Sequence, residues 1–123
     1  MAGGCLVIAR PGGHRDPNYL ATTIKNRRIS QIHFVPSMLA TFLEAPAAKH
    51  CQSLSTVLAM GEPLAPTLAR RFGDFFPATR LINEYGPTET SLAVTSWLCS
   101  KQDSMATTPI GFPVPNSRMY VLD

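Results

Sequence analysis

The sequence is poor in the residues that build several common kinds of protein. Its three cysteines, Cys5, Cys51 and Cys99, are too few and too scattered for a disulfide scaffold or a Cys-x-x-Cys metal site. Charged residues make up 15% of the chain and hydrophobic residues 45%, which argues against disorder, since disorder needs high charge and low hydrophobicity. No apolar run reaches the roughly 18 residues of a transmembrane helix, and the apolar stretch 3–9 is too short for a signal peptide. We therefore expect a folded cytoplasmic protein with no membrane partner.

The positive charge is also too dispersed to form an obvious binding surface. The net charge is +3, and most of the basic excess lies in the first 61 residues, yet only Arg27 and Arg28 are adjacent. A solvated helix face explains this spacing better than a surface for nucleic acid. We expect no nucleic-acid partner.

Eleven prolines and eight glycines divide the chain of 123 residues into short units. Apolar runs predict strands over 5–9, 29–35, 54–60, 80–83, 92–98 and 118–122. Helical spacing of apolar residues predicts helices over 17–28, with Asp16-Pro17 at its start, over 37–45 and within 63–76. This alternation predicts an α/β fold, a mostly parallel sheet with helices on both faces, and ligands at the carboxyl ends of the strands.

One segment, Asn83-Glu84-Tyr85-Gly86-Pro87-Thr88-Glu89-Thr90, concentrates the polar and aromatic chemistry directly after a predicted strand. A tyrosine ring can stack on a base, a glycine lets a ligand approach the backbone, and a carboxylate suits Mg²⁺. The same residues also suit a Gly-Pro turn with a threonine N-cap and a glutamate in the first helical turn. Residue chemistry alone favours the turn.

The segment 83–89 resembles the Asn-x-Tyr-Gly-Pro-Thr-Glu motif of adenylate-forming enzymes, and in particular of the amino-acid adenylation domains of non-ribosomal peptide synthetases. Four further segments resemble the same family in the same order. They are 33–39 (HFVPSML), 54–64 (with Met60-Gly61-Glu62), 109–116 (PIGFPVPN) and 120–123 (YVLD). The resemblance implies that residues 1–123 are a partial AMP-binding domain, the core sheet region of a fold truncated at both ends.

The resemblance implies a ligase that joins an amino acid to AMP, using ATP and Mg²⁺, and then passes the acyl group to a phosphopantetheine thiol. The implied partners are the amino acid and the peptidyl carrier and condensation domains of a larger synthetase. Tyr85 would stack on adenine, Asn83 would bond its amino group, Thr88 would contact the α-phosphate, and Glu89 would hold Mg²⁺. The implied catalytic residues are Thr88 and Glu89, and the implied nucleotide-binding residues are Gly61, Glu62, Asn83, Tyr85, Gly86 and Thr88.

The resemblance also implies a pocket for the amino-acid side chain, made by His33, Leu58, Met60, Glu84, Leu92 and Ala93. Several of these have ordinary alternatives: His33 could be a half-buried strand residue, and the leucines and Ala93 could be core. Met60 stands where the family usually has a glycine. A carboxylate in an apolar pocket needs a partner, so Glu84 predicts a polar or cationic substrate unless it turns to solvent.

Several family elements are absent from these 123 residues: the phosphate loop, the aspartate that binds the substrate amino group, the ribose-binding Thr-Gly-Asp and the catalytic lysine. We therefore expect the isolated chain to be inactive. Two alternatives stay open on the sequence. The chain could belong to an acyl-CoA or aryl-acid ligase, or it could be a non-catalytic nucleotide-binding remnant.

Overall fold

Helices and strands alternate through most of the computed structural model, which describes residues 3–90, 93–101, 103, 105–120 and 122. The helices are α1 (Pro17–Arg27), α2 (Pro36–Glu44) and α3 (Pro66–Phe75). The strands are β1 (Gln31–Phe34), β2 (Thr56–Ala59), β3 (Arg80–Tyr85), β4 (Thr95–Leu98) and β5 (Phe112–Pro113). Short 3-10 turns occupy Gly13–Arg15, Pro46–His50 and Thr88–Thr90.

The described strands form one sheet in the order β1-β2-β3-β4-β5. The pairs β1–β2 and β2–β3 are parallel, while β3–β4 and β4–β5 are antiparallel. A helix connects each parallel pair, whereas the described part of the short connection from β3 to β4 contains a 3-10 turn. A short connection suits antiparallel neighbours. The predicted α/β fold is confirmed as a mixed sheet, in which two of the four described strand pairs are parallel and two are antiparallel.

The start of α1 illustrates how local sequence sets these boundaries. The Asp16 carboxylate accepts hydrogen bonds from the backbone N–H groups of Asn18 and Tyr19 at 3.1 and 3.0 Å. Pro17 follows in the first turn, where its missing N–H costs nothing. The helix ends at Arg28, which adopts a left-handed conformation with φ 52°. The predicted Asp16-Pro17 helix start is confirmed.

The core lies between the helices and one face of the sheet. A cluster of aromatic rings from α2, β1 and the end of α3 forms its centre: Phe34 and Phe42 have ring centroids 5.0 Å apart, and Phe72 and Phe76 5.4 Å apart. Val57 of β2 is fully buried against this cluster. Because side chains alternate in direction along each strand, the strand neighbours of Phe34 and Val57 have their side chains on the other face of the sheet.

Two predicted strands are not strands in the structure. Residues 5–9 have no strand conformation, and Leu6 and Ile8 are exposed. A strand needs a hydrogen-bonded neighbour, and none of the described strands lies beside this segment. The described part of 118–122 likewise has no strand, and Val121 lies outside the described residues. Of the predicted strand 92–98, the structure has strand conformation at Thr95–Leu98, and position 92 is outside the described residues.

The structure also bears on membrane association. Within the residues it describes, no helix is both long and apolar enough to cross a bilayer.

Candidate functional site

The loops that follow β2 and β3 lie next to each other at the carboxyl end of the sheet. The two strands are parallel neighbours, with Ala59 opposite Asn83, so their carboxyl ends lie side by side. A cavity of about 590 Å³ opens between these loops. Its lining consists of Gly61–Pro66, Asn83–Pro87, Ala106–Thr108 and Ile110. Its position agrees with the rule that ligands of α/β sheets bind beyond the carboxyl ends of strands.

Five of the residues predicted for the nucleotide line this cavity, together with one predicted for the amino acid. They are Gly61, Glu62, Asn83, Tyr85 and Gly86, with Glu84. Sequence positions more than 20 residues apart are therefore brought together as expected. Thr88 and Glu89 do not line the cavity but follow its edge directly, in the turn after Pro87.

Asn83 connects the β3 side of the cavity to the segment 106–110, which forms the far wall of the cavity. Its side chain is 5% exposed, and its Nδ2 donates a hydrogen bond to the backbone oxygen of Pro109 at 2.8 Å. The amide nitrogen thus donates one of its two N–H groups to the 106–110 segment, and the side chain also carries an oxygen that can accept a hydrogen bond. An oxygen acceptor fits the predicted role, since an exocyclic amine is a donor.

Tyr85 presents its ring at the cavity mouth. It is the last residue of β3 and 46% exposed, while its backbone oxygen accepts a hydrogen bond from Val94 N at 2.8 Å. The backbone is therefore fixed by the sheet while the ring remains accessible. An accessible aromatic ring on a fixed backbone is suited to stacking on a planar ligand.

The loop after β2 is shaped by a glycine and a glutamate. Gly61 has φ 94°, a left-handed value that side chains rarely adopt. The Glu62 carboxylate accepts hydrogen bonds from Ser37 N at 2.9 Å and Ser37 Oγ at 3.0 Å. Sequence reasoning placed Glu62 at the nucleotide but did not foresee this partner on α2.

The segment after Pro87 forms a short helical turn, as the simpler interpretation predicted, but Thr88 is the first residue of this turn and not its N-cap. Thr90 donates from both its backbone nitrogen and Oγ1 to the Pro87 oxygen, at 3.0 and 2.8 Å, and Glu89 lies in the first turn. Glu89 is exposed, and no described cation pairs with it. The turn and the binding role are compatible, because both leave the Glu89 carboxylate exposed.

A metal bound here would depend on more than protein side chains. Among the described residues, no three His, Cys, Asp or Glu side chains cluster closely enough to hold a metal ion. Mg²⁺ is commonly held by one or two carboxylates together with phosphate oxygens and water. The exposed Glu89 carboxylate beside the cavity fits that pattern.

The predicted amino-acid pocket is only partly assembled by the described residues. His33 and Leu58 are register partners on β1 and β2 and share one face of the sheet, with His33 exposed and Leu58 half-buried. Met60 is 9% exposed, and Ala93 is half-buried. Of the five pocket residues that the structure describes, Glu84 also lines the cavity between the β2 and β3 loops, and Leu92 lies outside the described residues.

The far wall of the cavity was not assigned by sequence reasoning, although its Pro-Ile-Gly stretch was noticed. It is held by the Asn83–Pro109 hydrogen bond and by Gly111, which packs directly on β4. A Cβ at Gly111 would collide with the backbone oxygen of Ser96. The close packing of this wall on β4 therefore requires glycine, which has no side chain, at position 111.

Cys51, which is buried, and Cys99, which is partly buried, are poorly suited to act as nucleophiles. Burial raises the pKa of the Cys51 and Cys99 thiols to about 11. Both therefore remain protonated near neutral pH, where a thiolate would be the nucleophile.

Comparisons with known proteins bear on the family and the fold. The family model described as "AMP-binding enzyme" matches residues 1–123. Phosphinothricin tripeptide synthetase PhsB of Streptomyces viridochromogenes is 47% identical over 121 residues, which cover 98% of this chain and 10% of that protein. The chain thus spans about a tenth of the length of this relative.

Two solved structures have the same fold. The AMPPNP-bound form of the non-ribosomal peptide synthetase FmoA3 superposes with a TM-score of 0.80 at 22% identity, over 89% of this chain and 12% of that one. The adenylation domain AlmE of Vibrio cholerae, in complex with glycyl-adenosine-5'-phosphate, superposes with a TM-score of 0.65 at 28% identity, over 76% of this chain and 18% of that one.

Proposed function

Since the chain belongs to the AMP-binding enzyme family, we propose that it is the central sheet region of an amino-acid adenylation domain. That domain would lie within a larger enzyme, here called the parent synthetase. The cavity between the β2 and β3 loops carries this proposal, because five residues that the motifs assign to a nucleotide line it together. The 47% identity to a peptide synthetase supports an amino acid as the substrate class.

The proposed reaction joins the amino-acid carboxylate to the α-phosphate of ATP and releases pyrophosphate. Within this chain, the exposed Tyr85 ring holds the adenine, and the side-chain oxygen of Asn83 accepts a hydrogen bond from the adenine amine. The Thr88 hydroxyl donates to the α-phosphate, and the Glu89 carboxylate holds Mg²⁺. When bound, Mg²⁺ neutralises phosphate charge. The protein's contribution is mainly orientation and fixed charge.

The activated amino acid would next be transferred to a thiol. We propose that this thiol belongs to phosphopantetheine on a peptidyl carrier domain, and that the parent synthetase also has condensation domains and acts in the cytoplasm. The large difference in length between this chain and the related synthetase supports a multidomain parent. The chain's own part is to present the acyl-adenylate at the carboxyl ends of β2 and β3.

The substrate side chain is proposed to be polar or cationic. Glu84 is half-buried and lines the cavity immediately before Tyr85. A carboxylate that is partly removed from water favours a partner with a donor or a positive charge. The rival arrangement, with an apolar substrate against Leu58 and Met60, would leave Glu84 without influence on substrate choice.

Exchange of radioactive pyrophosphate into ATP tests the proposed function. We expect the purified parent synthetase to catalyse exchange that depends on an amino acid, and to prefer a polar or cationic one. The preference should be lost in Glu84→Leu. The 123-residue chain alone should give none, since transition-state positioning is shared with groups that it does not contain. Activity with fatty or aryl acids in place of amino acids would contradict the proposal, as would a parent without exchange.

A further inference from the structure

Helix α2 begins without a cap of its own. Its N-cap residue is Val35, which has no side-chain acceptor, and Pro36 in the first turn has no N–H to donate. Ser37 therefore offers the first free backbone N–H of this helix. Such groups at a helix start need an acceptor, and a negative charge there is favourable.

Glu62 supplies that acceptor from 25 residues away in the sequence. One carboxylate oxygen accepts from Ser37 N at 2.9 Å, and the other accepts from Ser37 Oγ at 3.0 Å. Both oxygens are thus directed at α2. The loop after β2 is thereby tied to the start of the helix that follows β1.

This tie acts on the cavity wall. Gly61, Glu62 and Pro63 all line the cavity, whereas Ser37 does not. Gly61 is held in a left-handed conformation close to Val35, whose Cγ1 would lie 3.2 Å from a Cβ at position 61. The wall segment therefore has two supports, both at the start of α2.

We propose that Glu62 is a positioning residue, which holds the 61–63 wall of the nucleotide cavity against α2 and whose carboxylate does not itself bind the nucleotide. The proposal rests on the proposed function for the identity of the ligand. It differs from direct binding in one respect that can be measured. If Glu62 acts through Ser37, removing the Ser37 hydroxyl must also weaken ATP binding, although Ser37 lies outside the cavity.

Exchange kinetics of the parent synthetase separate the two roles. We expect Glu62→Ala to raise KM for ATP about tenfold, the effect of losing hydrogen bonds to a charged group, with kcat changed less than about twofold. Ser37→Ala should raise KM about threefold, because its backbone N–H still bonds to Glu62. The double variant should be no worse than Glu62→Ala, since partners in one interaction are not additive.

Two further variants control for general damage. Glu62→Gln keeps both contacts, because its oxygen can accept from Ser37 N and its nitrogen can donate to Ser37 Oγ, and it should restore most of the ATP affinity. Glu44→Ala removes a carboxylate from the other end of α2, where Glu44 pairs with Arg71 at 3.7 Å and is exposed to solvent. This variant should leave KM unchanged.

The result that overturns the proposal is an unchanged KM in Ser37→Ala, or additive effects in the double variant, since either would mean that Glu62 acts on the nucleotide directly. A wild-type parent without exchange would instead contradict the proposed function. In that case, the inference is decided by urea unfolding of the wild type, the two single variants Glu62→Ala and Ser37→Ala, and the double variant. Non-additive losses of stability support the Glu62–Ser37 tie, and additive losses overturn it.

Discussion

Glu89→Gln in the parent synthetase is expected to slow adenylation about 100-fold or more, the usual cost of removing one electrostatic group from a transition state. The substitution keeps the shape of the side chain and removes its charge. Glu89 is exposed in the turn next to the cavity, and no described cation pairs with it. The loss should therefore be catalytic, with the thermal unfolding temperature unchanged.

The measurement is pyrophosphate exchange as a function of Mg²⁺ concentration. The deficit should be largest at limiting Mg²⁺ and should shrink in part as the metal is raised. Glu44→Gln serves as the matched control, because Glu44 is also exposed and lies at the far end of α2. If Glu89→Gln adenylates normally at limiting Mg²⁺, then Glu89 is only a favourable charge at the start of a helical turn.

Gly111→Ala should lower the free energy of unfolding of the chain by about 3 kcal/mol or more, from backbone strain and overpacking together. Gly111 has φ 87°, and an added Cβ would meet the Ser96 backbone oxygen on β4. Backbone atoms in a sheet cannot move aside as a flexible side chain can. The loss should appear as a lower urea midpoint with a similar slope.

Gly12→Ala separates the two causes. Gly12 also has a positive φ, of 74°, but an added Cβ there would have no atom within 4 Å. This variant should lose only the cost of the left-handed conformation, about 1 to 2 kcal/mol. Equal losses in the two variants would show that the close approach of Gly111 to β4 has no energetic consequence.

Features set by neighbouring residues were predictable from the sequence. The α1 start at Asp16-Pro17 follows from one carboxylate and one proline, and β2 ends before Gly61 as expected. The predicted end of β3 at Asn83 was two residues early, because Glu84 and Tyr85 pair with β4. Since parallel neighbours end at the same edge, the meeting of the two loops was also expected. Their residues do line one cavity.

Features that depend on contacts between distant residues were not predictable. The Glu62–Ser37 and Asn83–Pro109 hydrogen bonds join residues 25 and 26 positions apart, and neither pair has a local signal. The prediction of a strand over residues 5–9 was wrong for a related reason. Its apolar composition predicts a strand, but a strand forms only beside a partner, which the described strands do not provide.

Photolabelling of the parent synthetase with an azido-adenine analogue of ATP tests the nucleotide cavity most directly. Trypsin cleavage at Arg28, Lys49, Arg70, Arg80 and Lys101 separates the two cavity loops, in peptides 50–70 and 81–101, from the strand and helix in 29–49. We expect the label to be found in peptide 81–101, which contains Tyr85, and to be lost when AMP competes for the site. The amount of label should fall after Tyr85→Ala. Label that AMP displaces from 29–49, with none in 50–70 or 81–101, would contradict a nucleotide site between β2 and β3.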